Sequence, residues 1–169
     1  MDFRTTLLLS TAMSDNRSSN SHNAADGILV RANRSLSQQK YEEAGALYGE
    51  VSERWPERWE GHFGIAKCAQ GLNNYPLALR AAMAAAGADA QCIPAYILIG
   101  ELAFNGGMID VGIEWLEAAA GDQPNEPMLF EWLVRLYAAG GREDALIQCL
   151  ARYSQLRGLP VAEATLLFA

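Results

Sequence analysis

The residues best suited to chemistry in this 169-residue chain are three cysteines, two histidines and a few neighbouring carboxylates, and none of them is spaced for it. Cys68, Cys92 and Cys149 form no CxxC pair, and His22 and His62 have no companion Cys or His at ligand spacing, so no metal site is expected. An odd number of well-separated cysteines suits buried, free thiols in a reducing compartment. Glu42-Glu43 and Glu143-Asp144 look like the paired acids of general acid–base catalysis, and Asp110 is a further candidate. Each falls in the first turn of an expected helix, where the helix dipole favours a carboxylate without any catalytic role. There is no glycine-rich phosphate loop and no nucleophile motif. The residue types predict a protein that is not an enzyme and takes no cofactor.

Composition narrows the partners. Half the residues are hydrophobic and 20% are charged, which fits a globular chain, and the formal net charge is −7. An acidic surface disfavours nucleic acid, whose phosphates it repels, and eases recruitment of basic partners. No apolar run approaches the roughly 18 residues that a membrane helix needs, so no membrane insertion is expected and the location is read as cytoplasmic.

The elements that position these residues recur. Small residues anchor successive helices at Ala44, Ala78, Gly112 and Ala145, at intervals of 34, 34 and 33 residues. Self-similarity at this period is the mark of stacked supersecondary units. Breaker clusters at Ser37-Gln38-Gln39, Asn73-Asn74, Asn105-Gly106-Gly107 and Gly140-Gly141 split each unit into two apolar-periodic segments of helical length. Such short connections make the paired helices antiparallel neighbours. Asn74 is placed to cap a helix whose first turn holds Pro76, and Pro56 and Pro124 each close a second helix.

The expected organisation is a flexible tail over residues 1–25, then four tandem hairpins over 26–159. The hairpins span about 25–58, 59–92, 93–126 and 127–159, and a capping helix starts over 160–169. Phe3–Met13 is too short in its apolar core for a secretory signal and reads as a frayed terminus. Met13 is a possible alternative start. The final Leu166-Leu167-Phe168 would cap a solenoid poorly unless it folds back. Either the natural chain continues past it, or that edge is an association surface.

The array over residues 25–159 resembles the tetratricopeptide repeat (TPR) family. Tyr96, Ile99 and Gly100 match its first-helix pattern in the third unit, as Phe130, Leu133 and Tyr137 do in the fourth. Tyr41, Ala44, Tyr48 and Pro56 match its second-helix pattern, as do Ile109, Gly112, Leu116 and Pro124. Val134 replaces a small residue, and the fourth unit reads as one residue short at Ala145. The resemblance implies an all-α, right-handed α-solenoid of antiparallel helix pairs.

It also implies a non-catalytic scaffold that binds a peptide or partner helix on the concave face of its first helices. Projecting the fold onto the sequence puts Leu29, Val30, Asn33 and Leu36 on that face, followed by Phe63, Lys67 and Gln70. Ile97, Leu98, Glu101 and Phe104 continue it, then Glu131, Trp132 and Arg135. Asn33, Lys67, Glu101 and Arg135 form a ladder at intervals of 34, read either as peptide contacts or as mutually satisfied neighbours. Phe63, Phe104 and Trp132 are the expected anchors. The clamp by which some family members hold the acidic tails of heat-shock chaperones is mostly missing. Asn33 suits it, but Gly64, Leu29, Pro94 and Leu98 stand where polar or basic side chains are required. Two alternatives are a secretion-type TPR chaperone for a client protein and a regulatory or oligomerisation domain of a larger assembly, homo-oligomeric or mixed, joined through the C-terminal edge.

Overall fold

The computed structural model describes residues 23–168, which form nine α-helices and no strand. The helices are α1 (23–37), α2 (Tyr41–Arg54), α3 (Trp59–Gly71), α4 (Tyr75–Ala88), α5 (Ile93–Asn105), α6 (Ile109–Asp122), α7 (Pro127–Ala139), α8 (Glu143–Arg157) and α9 (Val161–Leu166). The first eight pair as four antiparallel hairpins stacked in chain order, an α-solenoid of the class that the sequence predicts. Residues 1–22, with Phe3–Met13, His22 and most of the expected tail, lie outside the described residues. Residues 23–25 are already helical, and Ala25 is fully buried.

One turn is built four times. Gln39, Asn73, Gly107 and Gly141, each 34 residues after the last, take left-handed backbone with φ of 58°, 57°, 70° and 67°. The next residue in each turn (Lys40, Asn74, Met108, Arg142) donates its N–H to the carbonyl five residues back at 2.8–3.0 Å. This is the Schellman closure, which satisfies the free carbonyls of the first helix and reverses the chain. Asn74 then caps α4 by accepting from the Leu77 N–H at 3.2 Å. Pro76, Pro94 and Pro127 sit in first turns, where a missing N–H costs nothing. Four-residue links of one kind join the hairpins, closed by N–H bonds from Arg58, Cys92 and Glu126 to the residue three back.

Hairpins meet along a repeated seam. At the first, α3 presents Gly61, Gly64 and Gly71 to α2. A Cβ on Gly64 would lie 2.2 Å from the Tyr48 ring, and one on Gly61 would lie 2.8 Å from the Ser52 backbone nitrogen. The positions equivalent to Tyr48 in the following second helices hold Ala82 and Leu116, and those equivalent to Gly45 hold Leu79 and Ile113, all at most 4% exposed. The core divides into two clusters. One gathers the first hairpin with Cys68, the other most of the buried residues from Ala66 to Cys149, and Ile65 touches both.

The fourth unit corrects the sequence reading. Its turn at Gly141 and its helix start at Glu143 keep the 34-residue step from Gly107 and Ile109, so no residue is lost. The residue equivalent to Ala44, Ala78 and Gly112 is Leu146, not Ala145. At this position the fourth unit therefore carries a large residue, so it does not pack through its smallest side chain as Ala44, Ala78 and Gly112 do.

The turn leads to a stability prediction. Left-handed backbone costs a residue with a Cβ about 1–2 kcal/mol, partly offset by glycine's greater chain entropy when unfolded. Gln39→Gly should raise stability by about 0.5–1 kcal/mol, read as a higher urea midpoint with unchanged slope.

Candidate functional site

The best-formed concavity lies between the first two hairpins, about 370 Å³ in volume. Leu29, Asn33 and Leu36 of α1 form one wall, Tyr48 of α2 the floor, and Trp59, Glu60, Phe63, Gly64 and Lys67 of α3 the other wall. Volumes of this order suit one or two ligand side chains rather than a whole ligand. Tyr48 is locked in place. Its hydroxyl donates to Asn33 Oδ1 at 2.6 Å while its ring covers Gly64. Burial, helped by the nearby Cys68 thiol, pushes the Tyr48 phenol up to about 12, so it stays a neutral donor. Trp59 and Phe63 meet edge to face at 5.6 Å, both half-buried, and leave ring surface open to the groove. Arg58 pairs with Glu60 and with Asp26 at 2.9 Å each, tying α1 to α3 beside the groove.

The ladder is wired internally. Asn33 accepts from Tyr48. Lys67 Nζ donates to Gln70 Oε1 at 2.6 Å, and Gln70 Nε2 donates to Glu101 Oε1 at 2.7 Å, so a glutamine relays between the two charges. Arg135 turns to Glu131 at 3.2 Å, one turn away on α7. The direct Lys67–Glu101–Arg135 row is not formed. Neutral amides leave spare donors on Asn33 and Lys67 facing the groove.

A second, smaller concavity of about 270 Å³ lies at the other end, between Phe104, Arg135, Ala138, Ala139 and Phe168. Phe104 and Trp132 pack edge to face at 6.5 Å. The Arg135 guanidinium stacks on Trp132 at 5.4 Å and on Phe168 at 5.2 Å. Phe168 folds back from α9 onto Tyr153 at 5.4 Å, so it is not part of an open edge. Leu166 and Leu167 are exposed, at 75% and 56%.

Not every expected groove residue faces the groove. Leu98 is 3% exposed and lies in the seam with the preceding hairpin. Val30 and Trp132 hold the same repeat position as Leu98. Val30 is 68% exposed, and Trp132 packs where a Cβ on Gly100 would lie, 2.9 Å from its ring. Leu29 is 8% exposed and offers the groove only its edge, while Ile97 and Glu131 are half-buried. Tyr48, Trp59 and Glu60 line the groove without having been expected there. Tyr48 reads as a spacer between helices, and Trp59 as the first residue of a helix; both follow from the repeat register once the seam position is known. Gly64 cannot host the polar side chain that the chaperone-tail clamp needs, because the Tyr48 ring fills the space.

The described residues hold no cluster of three or more His, Cys, Asp or Glu able to bind a metal, and no helix long and apolar enough to cross a membrane. All three cysteines are free and buried. Burial pushes Cys68 up to about 11 and Cys149 up to about 12, and raises Cys92 as well.

With this geometry in hand, comparison with solved structures defines the fold as that of TPR solenoids. YrrB, a TPR protein with an unusual peptide-binding site, superposes with a TM-score of 0.64 at 18% identity, covering 90% of this chain and 82% of its own. MamA from Desulfovibrio magneticus RS-1 gives 0.64 at 16% identity over 78% and 75%. The TPR2B domain of yeast Sti1, in its complex with pHsp70, gives 0.59 at 18% identity over 68% and 96%. No protein-family model and no curated protein sequence matches the chain.

Two measurements follow. Ellman's reagent at pH 8 should titrate almost no thiol in the native protein and all three after denaturation. Gly64→Ala, which drives a methyl into the Tyr48 ring, should cost about 1–3 kcal/mol in a urea melt.

Proposed function

We propose that the chain is a non-catalytic interaction scaffold that seats a peptide or a partner helix along the concave face of α1, α3, α5 and α7. The observation that carries this reading is the prebuilt pocket around Tyr48, with half-buried aromatic rings beside spare polar donors. A buried phenol hydrogen-bonded to Asn33 fixes the pocket before any ligand arrives, which lowers the ordering cost of binding. An apolar ligand side chain enters between Trp59, Phe63 and Leu36. Asn33 and Lys67 meet backbone carbonyls beside it, and Glu101 and Arg135 extend the polar line toward the second pocket. The named peptide-binding site of YrrB and the pHsp70 complex of the Sti1 domain support peptide capture as a use of this architecture. The net charge of −7 favours neutral or basic segments, in keeping with the occluded clamp at Gly64.

Affinity purification with mass spectrometry identifies the partner, and calorimetry then measures it. The double variant Trp59→Ala/Phe63→Ala should lower affinity about thirtyfold or more, since truncated aromatic anchors cost about 2 kcal/mol or more. Lys67→Ala should cost less, and its effect should shrink in high salt. Unchanged affinity in the double variant, with an unchanged circular dichroism spectrum, overturns the groove as the binding site.

A further inference from the structure

The Tyr48 pocket lies beside the start of α1. Helical rise places Asn23 about 9 Å along the α1 axis from Leu29, which forms part of the pocket wall. Asp26, in the first turn of α1, pairs with Arg58 at 2.9 Å, and Arg58 pairs with Glu60, which lines the same pocket. Whatever precedes Asn23 is therefore delivered near the mouth of this pocket.

The 22 residues before Asn23 divide sharply. Ser14 to His22 contains no apolar side chain, whereas Phe3, Leu7, Leu8, Leu9 and Met13 lie ahead of it. Asp2 and Arg4 balance, so the stretch up to Met13 is neutral in its side chains and the whole net charge of −7 lies elsewhere. In the pocket, Leu36, Trp59 and Phe63 are only half-buried and offer apolar surface.

Resting on the reading of this groove as a peptide site, we propose that its resident occupant is residues 3–13 of the same chain, with Leu7-Leu8-Leu9 in the Tyr48 pocket. Reach is ample, because the nine residues from Ser14 to His22 span up to about 30 Å. A volume of about 370 Å³ takes one or two leucine side chains. A neutral segment enters an acidic array without charge repulsion. Tethering makes weak docking sufficient. A link of this length gives an effective concentration on the order of 1 mM, so a segment that binds at about 0.1 mM when free holds the groove about ten to one. A partner must displace it, and the partner's apparent affinity falls about tenfold. The amino-terminal segment is thus an intramolecular brake on the groove.

Two measurements on the full chain test this. A benzophenone maleimide attached through Thr6→Cys labels one position, because the native thiols are buried. Irradiation should join it within the same chain to α1 or α3 beside the pocket, read by mass spectrometry, and Trp59→Ala/Phe63→Ala should abolish those products. Products scattered over the second helices, or formed mainly between chains, overturn the proposal. For the second measurement, a fluorescein-labelled peptide of residues 2–13 is the probe, followed by anisotropy. Leu7→Ser/Leu8→Ser/Leu9→Ser removes the resident cluster and should raise the full chain's affinity for the probe about tenfold. Adding Trp59→Ala/Phe63→Ala should then lower it about thirtyfold or more. No gain in the serine variant, or no binding of the probe, with native circular dichroism retained, overturns the proposal. A partner separates the two readings. If its binding is lost in Trp59→Ala/Phe63→Ala but unchanged in the serine variant, the groove stands and this occupant alone is ruled out.

Discussion

Everything in this molecule depends on how closely α2 and α3 approach. With Gly64 in place, the Tyr48 ring lies flat on the backbone of the next hairpin, and its hydroxyl comes within reach of Asn33. One contact therefore joins three helices: packing between second and first helix, orientation of a groove residue, and the depth of the pocket. A side chain at residue 64 would separate the hairpins, free the tyrosine and flatten the groove. In the later seams leucine and isoleucine of the second helices are the buried residues.

The buried phenol and thiols set the pH behaviour of that contact. Tyr48 is raised from its ordinary value of 10.0 to about 12, so the neutral form is favoured by folding. Its contribution is complete below pH 10 and is lost as pH rises from 10 toward 12. Cys68, raised to about 11 by its own burial, acts in the same direction.

The fold class is legible in the sequence because its cause is local and repeats. Asn73, Gly107 and Gly141 announce left-handed turns, the prolines announce first turns, and the recurrence of small residues announces close-packed pairs. Gln39 is less legible. It occupies the same left-handed position with a side chain that does not favour it, so the Ser37-Gln38-Gln39 cluster signals a break but only the register reveals its left-handed residue. Ala145 misleads for the opposite reason: a small residue one place early looks like the anchor, whereas Leu146 holds the anchor position in the 34-residue register. In the groove, the first-helix periodicity separates the Asn33–Lys67 row from the core. It cannot separate the row of Val30, Leu98 and Trp132, which sits at the boundary between groove and seam. Which side that row faces is decided by the neighbouring hairpin, and a single helix carries no record of it. The Gln70 relay and the Arg58 link to α1 are likewise matters of side-chain reach across elements.

The division of the core into two clusters has a consequence for how the chain responds to load. The first hairpin has its own apolar cluster, which joins the rest through Ile65 and Cys68 of α3, beneath the groove. A solenoid of this kind yields from an end, one unit at a time. A ligand lying across α1 and α3 spans the junction at which the first unit would detach. Occupancy of the proposed groove would thus splint the molecule, holding the amino-terminal unit against fraying.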